Sequence, residues 1–163
     1  MQLHQLQKTA FTMIELIFVI VIMGILAAVA IPKFAQSKTQ ADIAKGRSDV
    51  ATIRTAIMNE RQKRLLTGDN SYINGTDLDD TGLFDGVLTY PETDSQTDGH
   101  WHAVSSDVNT SKYYFRVNGV DVLFTYHKNE ITVGTTTFKA GTFTCDADKD
   151  GNESQKYCYK LTQ

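Results

Sequence analysis

The chain is 163 residues long, with 41% apolar residues, 21% charged residues and a formal net charge of −3. The apolar residues are unevenly spread, since residues 11–34 contain 19 of them whereas residues 35–163 contain 44 in 129 positions. This asymmetry excludes a plain cytosolic globule and a multi-pass membrane protein, and the acidic balance argues against a specific nucleic-acid partner, which needs clustered Lys and Arg.

The first ten residues are polar, and an apolar run begins at Phe11. Residues 11–31 contain one charged side chain, and a helix of that length is about 31 Å long, enough to cross a hydrocarbon core of about 30 Å. A cleaved secretory signal has a shorter apolar core that is followed by its cleavage site. The sequence therefore predicts one retained transmembrane helix over residues 11–32.

Glu15 is the one charged residue of this segment. An isolated carboxylate inside a membrane helix costs about 2.5–3.5 kcal/mol and needs a cationic partner. The sequence has no Lys or Arg between Lys8 and Lys33. A cut between Ala10 and Phe11 would create an α-ammonium group four residues from Glu15, so processing would supply the missing charge, within the same chain or in a neighbouring one.

These residues resemble a known family. Residues 10–16 read Ala-Phe-Thr-Met-Ile-Glu-Leu, and the apolar helix that follows has a Gly in its middle and Ala-Ile-Pro at its end. The stretch is similar to the class III signal of type IV prepilins and type II secretion pseudopilins, with a short leader, a cut directly before Phe and Glu at the fifth mature position. One departure is Ala10, where the family usually has Gly, and we expect slower processing there.

The resemblance implies a maturation pathway. A membrane prepilin peptidase would remove the leader, residues 1–10, and methylate the amine of Phe11. Glu15 would then pair with a Phe11 ammonium group while an inner-membrane assembly platform moves subunits from the membrane into a helical filament of identical copies. The precursor would cross the inner membrane once with its head on the periplasmic or extracytoplasmic side, and the filament would be periplasmic or on the cell surface.

The resemblance also implies the fold class α+β, in which a long bent N-terminal helix packs on a C-terminal antiparallel β-sheet. Gly24 and Pro32 are predicted to bend the helix, because Pro removes a backbone hydrogen bond and Gly is a poor helix former. Beyond the bend, Ile43 and Val50 begin a helical apolar spacing that continues at Ile53 and Ile57 with charged residues between them. An amphipathic half is therefore predicted over residues 33–67.

The rest of the chain divides into two predicted regions. Residues 68–112 are rich in Gly, Asp, Ser and Thr, which predicts a variable loop region, either a long solvated connection or an adhesive surface. Residues 113–163 are predicted to form an antiparallel sheet with a C-terminal disulfide loop. The clearest β-hairpin signal is Asn118-Gly119 between two alternating runs, and further strands are predicted within 131–144.

Cys145 and Cys158 are the two cysteines of the chain. We expect them to be oxidised in an exported head, which stabilises the fold by about 3 kcal/mol in the chain-entropy model. The pair also resembles the C-terminal disulfide loop of type IV pilins. Two isolated thiols are the alternative.

Acidic residues alternate inside this loop. Asp146, Asp148 and Asp150 are followed by Gly and Asn152, an arrangement typical of the first half of a calcium loop. The twelfth position is Tyr157 and not the bidentate Glu of an EF-hand. We therefore predict a candidate Ca²⁺ site at these four oxygen-bearing residues, with a solvated turn as the alternative, and no organic cofactor.

Motifs of the common hydrolases, nucleotide-binding proteins and metalloproteases do not occur in the sequence. With the resemblance to prepilins, this predicts a structural and not an enzymatic function, as a subunit of a type IV pilus-like filament. A type II secretion pseudopilin that drives protein export is the first alternative. The second is a monomeric membrane-tethered protein that binds metal or another ligand through the acidic loop or through His100 and His102, and for which Glu15→Ala would be harmless.

Overall fold

The computed structural model describes residues 11–163. Within these residues the elements are α1 Met13–Leu66, a 3₁₀ turn at Gly75–Asp77, β1 Trp101–Ser106, β2 Thr110–Val117, β3 Val120–His127, β4 Ile131–Val133, β5 Thr136–Phe138, β6 Thr142–Cys145 and α2 Glu153–Thr162. The fold class is α+β, as predicted. The chain divides into two compact units, one ending at Lys38 and one spanning Thr39–Gln163, and each is described by itself.

The first unit is helical from Met13 onward, and none of its described residues is buried. The large apolar side chains stand exposed along its length, as at Phe11, Met23 and Ile31, with exposed fractions of 77%, 64% and 68%. By length and composition alone, this part of α1 is able to cross a membrane. A continuous apolar surface of this kind is unfavourable in water, so the segment needs an apolar environment.

Helical structure runs without a break through Gly24 and Pro32. Pro32 has no N–H group to donate, so the helix lacks one backbone hydrogen bond at this point. A methyl group placed on Gly24 would meet no other atom within 4 Å. The bend predicted at these two residues stays a prediction, and it does not take the form of an interrupted helix.

In the second unit, one face of α1 is buried. The buried residues are Ile43, Gly46, Val50, Ile53 and Ile57. Spacings of three and four residues place side chains on the same side of a helix, so these residues form one apolar stripe. The predicted amphipathic half is confirmed.

The main sheet is antiparallel, with strand order β1-β2-β3-β6, and β4 and β5 form a separate two-stranded hairpin. β2 and β3 pair from Thr110 opposite His127 to Val117 opposite Val120. Asn118 and Gly119 connect them with φ angles of 49° and 76°. Two successive residues with positive φ are typical of the tight turn that Asn-Gly favours, and the predicted hairpin is confirmed.

The core of the second unit is rich in aromatic side chains from the inner face of the sheet. On β2, Tyr113 and Phe115 alternate with more exposed residues, and both are fully buried. The ring of Trp101 lies 4.9 Å from that of Phe115, and Phe124 stacks on Phe143 at 5.2 Å. The apolar stripe of α1 belongs to the same cluster, so helix and sheet share one core.

The structure of residues 68–112 differs from a purely solvated connection. The region contains the 3₁₀ turn, β1 and the start of β2, and Ile73, Leu78, Leu83 and Phe84 are buried in the core. β1 shows little alternation, because Trp101 is its one buried residue and a register irregularity lies at Ala103–Ser105. The strand therefore leaves no period-two signal in the sequence.

Residues 113–163 contain a helix that the sheet prediction did not include. The strands end at Cys145, and α2 follows after a seven-residue segment, 146–152, that contains three Asp and one Gly. Tyr157, Cys158 and Leu161 are its buried residues, and they lie on one side of a helix that is only 10 residues long. The polar start of the segment, typical of a loop, concealed this short apolar face.

Candidate functional site

The residues predicted for processing lie at the start of the described chain. Ala10 and the rest of the leader lie outside the described residues. Phe11 is exposed, and Thr12 directly precedes the first residue of α1. The side-chain oxygen of Thr12 accepts a hydrogen bond from the backbone N–H of Glu15 at 3.3 Å. The junction predicted for cleavage is therefore followed at once by a capped helix start.

Glu15 occupies the first turn of α1, and its side chain is exposed. A carboxylate in the first turn interacts favourably with the partial positive charge of the helix N-terminus. Thr12 and Glu15 also have the spacing of a capping box, Ser or Thr followed three residues later by Glu. Sequence analysis missed the role of Thr12, although this spacing was a signal that could have found it.

Around Glu15, neighbouring side chains on α1 are apolar and exposed. Ile14, Leu16, Ile17 and Phe18 have exposed fractions between 49% and 71%. A surface of this composition is covered in a stable state either by lipid or by other apolar helices. Glu15 is therefore the one carboxylate on the exposed apolar part of α1. In an apolar environment such a carboxylate needs a cationic partner.

The two cysteines are joined in a disulfide, as predicted, with their Cα atoms 5.9 Å apart. Cys145 is the last residue of β6, and Cys158 lies on the buried side of α2. The bond therefore ties the C-terminal helix to the last strand of the main sheet.

The candidate calcium residues form hydrogen bonds with one another and with the start of α2. Asp146 Oδ2 accepts from Gln155 Nε2 at 2.7 Å, and Asp148 Oδ1 accepts from the backbone N–H of Asp150 at 2.9 Å. Asn152 caps α2, because its Oδ1 accepts from the Gln155 N–H while Gln155 Oε1 accepts from the Asn152 N–H, both at 2.9 Å. This reciprocal arrangement is a capping box.

Within residues 11–163, no three His, Cys, Asp or Glu side chains gather as they would around a metal ion. Asp146, Asp148 and Asp150 are thus not brought together, and binding of Ca²⁺ would require rearrangement of the loop. The calcium site stays a prediction. His102 packs against the ring of Tyr114 with centroids 5.2 Å apart. His127 is buried against Phe138, and burial followed by the nearby charge of Lys112 lowers its pKa.

A second group of carboxylates orders the loop between α1 and the sheet. Asp79 accepts hydrogen bonds from the Tyr113 hydroxyl at 2.7 Å and the Phe84 N–H at 2.8 Å, and burial raises its pKa. Asp85 accepts from the backbone N–H groups of Asp80 and Thr81 at 2.6 and 2.7 Å. These bonds, with that of Asp80 the strongest cause, lower the pKa of Asp85 to about 2.

Comparison with known proteins identifies a family motif in the N-terminal segment. Residues 7–31 match the model of the prokaryotic N-terminal methylation motif. The chain is 38% identical over 71 residues to the type IV narrow pilus major component PilA5 of Thermus thermophilus, and this alignment covers 42% of the chain. It is 29% identical over 106 residues, or 64% of the chain, to a fimbrial protein of Moraxella nonliquefaciens.

The chain spans 61% of the length of the Thermus protein and 68% of the length of the Moraxella protein. No solved structure matches it. The methylation motif covers the last four residues of the predicted leader and most of the exposed apolar part of α1, and includes Glu15. The chain carries the N-terminal methylation motif of prokaryotic prepilin-type signals and is similar to type IV pilins and fimbrial proteins.

Proposed function

We propose that the protein is a structural subunit of a type IV pilus-like filament and has no enzymatic activity. One observation carries this proposal, which is that the methylation motif at residues 7–31 coincides with an exposed apolar helix whose one charged side chain before Lys33 is Glu15. A signal sequence that is discarded would need no such carboxylate. A segment that joins a filament needs both its apolar surface and its charge.

In this proposal, prepilin peptidase cuts between Ala10 and Phe11 and methylates the new amine. The cationic amine of one subunit pairs with Glu15 of a neighbour, which offsets the cost of placing a carboxylate among apolar side chains. Before assembly, lipid covers the apolar helix, and afterwards the helices of other subunits cover it. The head lies on the periplasmic side, and an inner-membrane platform transfers each subunit into the filament.

Both relatives are pilus or fimbrial proteins, which favours a pilus over a secretion pseudopilus. One is the major component of a narrow type IV pilus and the other is a fimbrial protein. We therefore propose a surface filament as the assembled state.

Mass spectrometry of the protein isolated from its native host tests maturation. We expect a chain that begins at Phe11 and carries one added methyl group on its amine. A chain that still begins at Met1 would overturn the proposal.

Substitution of Glu15 tests assembly separately from maturation. We expect Glu15→Ala to remain cleaved and methylated but to lose filaments, because no carboxylate is left to bind the amine of the neighbouring subunit. The matched control is Glu130→Ala, which removes an exposed carboxylate from the loop between β3 and β4. Wild-type levels of sheared filaments from Glu15→Ala cells would contradict the assembly role.

A Ca²⁺ ion bound by Asp146, Asp148, Asp150 and Asn152 is proposed as a ligand of the head. Carboxylates within one closed loop repel one another when they approach, and a divalent cation would relieve this repulsion and draw them together. Excess Ca²⁺ should raise the melting temperature of the full-length protein in detergent, and EDTA should reverse the increase. Indifference to both would discard the site.

A further inference from the structure

The part of α1 in the second unit has a flank of arginines and, on another side, a groove. On one flank, Arg47, Arg54 and Arg61 recur every seven residues, a spacing that places side chains almost above one another on a helix. The Nε atoms of Arg47 and Arg54 donate to the carbonyl oxygens of Lys160 and Phe143 at 2.8 and 2.9 Å. This flank therefore faces α2 and β6.

The other flank borders a groove of about 690 Å³ between α1 and the segment 87–92. We call it the α1 groove. On its helix side, exposed polar residues such as Ser48, Thr52 and Thr55 alternate with Ala51, Ile53 and Ala56. Its far side carries Tyr90, which is 87% exposed. Within the described chain no residue fills the groove.

The rim of the α1 groove is acidic. Asp49 and Glu92 share a single cation, the ammonium group of Lys45, at 2.8 and 3.2 Å, so this trio keeps one net negative charge. Asp85 lines the adjoining depression of about 330 Å³, and the hydrogen bonds recorded for its carboxylate come from backbone N–H groups and the Thr81 hydroxyl. These donors carry no charge, and Lys63, which lines the same depression, pairs with Glu60 at 3.2 Å.

The outer side of α2 is basic, and we call it the α2 edge. Lys156 and Lys160 are four residues apart on α2, with the exposed Tyr159 beside them and Arg47 bonded to the last turn. One carboxylate, Glu153, pairs with Lys156 at 3.4 Å, which leaves two net positive charges. Within residues 11–163, Lys160 forms no ion pair, and its ammonium group lies 5.2 Å from the Tyr157 ring.

We propose that the α2 edge of one copy of this chain docks into the α1 groove of the next copy. This inference rests on the proposed filament and names the contact between its heads. The charges are complementary, since Lys156, Lys160 and Arg47 would face Asp49, Glu92 and Asp85. Such complementarity sets orientation and the rate of encounter more than affinity.

The dimensions agree as well. α2 has 10 residues and is about 15 Å long, and the face of α1 from Ser48 to Asn59 that lines the groove is about 18 Å long. The α2 edge and the α1 groove are different parts of the chain, so the contact is heterologous. A heterologous contact that does not close into a ring repeats indefinitely and builds a helical filament.

Photo-crosslinking in the native host tests the contact directly in the full-length protein. A benzophenone amino acid at Thr52 should give an adduct between two copies, whose linked peptide falls within residues 153–163 of the second copy. The same probe at Thr132, an exposed position on β4, should give no adduct to that peptide. An adduct to another part of the chain, to a different protein, or none in cells that make filaments would overturn the docking and leave the proposed function intact.

A charge swap provides the second test. Lys160→Glu would bring a carboxylate against the acidic rim of the α1 groove, and Thr55→Lys would bring an ammonium group against the basic α2 edge. Each variant should therefore lower the yield of sheared filaments by about tenfold or more. The double variant should recover most of that yield, which would also show that neither change unfolds the head. The control Lys139→Glu makes the same change in charge on the exposed turn before β6 and should leave the yield unchanged.

Each outcome of the charge swap either supports or contradicts the docking. Loss in both single variants with recovery in the double variant supports the docking. Single variants that match the control, or a double variant that is no better than the worse single variant, overturn it. If wild-type cells with mature protein form no multimers at all, the proposed filament role fails, and the contact fails with it.

Discussion

Gly46 shows how tightly α1 is packed in the head. It lies on the buried stripe, and a side chain there would overlap the Phe115 ring and the Leu161 side chain. The absence of a Cβ atom at this one position lets the sheet and α2 both contact the helix.

We therefore expect Gly46→Ala to destabilise the head. Overpacking costs about 1–3 kcal/mol, which exceeds the gain of up to about 1 kcal/mol from the better helix propensity of Ala. The melting temperature of the protein in detergent measures the effect. Gly24→Ala adds the same methyl group to the same helix where it meets nothing within 4 Å, so it serves as control. An unchanged or raised melting temperature for Gly46→Ala would contradict the packing described here.

Asp85 orders the loop that borders the α1 groove. Its carboxylate accepts from the N–H groups of Asp80, Thr81 and Gly82 and from the Thr81 hydroxyl at 2.6 to 3.0 Å. The bond from Asp80 is the first cause of a pKa lowered from 3.8 to about 2. Because the folded pKa lies below the unfolded value, ionised Asp85 stabilises the fold above about pH 4.

This contribution should disappear as the pH falls from about 4 to about 2. Asp85→Asn should lower the free energy of unfolding at pH 7 and should flatten its decline over that range. Urea unfolding at several pH values measures both quantities as a difference from the wild type. The raised pKa of Asp79 contributes a change of opposite sign. Burial is the first cause of that increase and is present in both proteins, whereas the smaller part that comes from the Asp85 charge is lost in the variant. Parallel pH profiles for the two proteins would exclude the role of Asp85.

At the scale of elements, the disulfide fixes α2 against the main sheet. It closes a loop with a sequence separation of 13 residues between the end of β6 and the middle of α2. Such a crosslink lowers the entropy of the unfolded chain, and a loop of this length corresponds to about 3 kcal/mol.

Replacing both Cys145 and Cys158 by Ser should therefore lower the free energy of unfolding by about 3 kcal/mol. Chemical unfolding of the variant measures the loss. Wild-type protein treated with a reductant should lose a similar amount, while the variant should not respond to the reductant. Equal stability of oxidised and reduced wild-type protein would show that the bond does not constrain α2.

The elements that were predictable are those with strong local signals. The apolar spacing that begins at Ile43 predicted the buried face of α1, and Asn118-Gly119 between alternating runs predicted the β2–β3 hairpin. α2 was missed because its start is polar, although the Asn152 cap and Gln155 three residues later were a usable signal.

Other features had no local signal. Phe84 adopts a positive φ of 62° while its ring is fully buried, a conformation that is uncommon for any residue but Gly, Asn and Asp. The pairing of Asp79 with Tyr113 joins residues 34 positions apart. Both features depend on tertiary packing, which the order of residues along the chain does not display. The Glu15 carboxylate was identified from sequence because its charge is conspicuous in an apolar run.

At the scale of the molecule, the two units need different environments, one apolar and one aqueous. The described residues up to Lys38 contain no buried side chain, whereas the unit Thr39–Gln163 has a closed aromatic core. Burial of apolar surface is favourable at about 25 cal/mol per Å², so exposure of the first segment to water carries a large cost.

We accordingly expect the unassembled protein to sediment with membranes. Alkaline carbonate should not extract it, because this treatment removes proteins held by charge, whereas a nonionic detergent should release it. Immunoblotting of the fractions measures the distribution, with a resident transmembrane protein as control. Recovery in the carbonate supernatant would show that the apolar helix does not lie in the bilayer.

The three arginines along one flank of α1 also affect how the head would respond to force. Arg47, Arg54 and Arg61 bind the carbonyl oxygens of Lys160, Phe143 and Ser71, which belong to three different segments of the head. Tension applied along the axis of α1 would strain these three bonds together, in parallel, and would not break them one after another. Because α1 is bonded to three segments, a pulling force on the helix would be distributed over the whole head, and the head would resist stretching as one body.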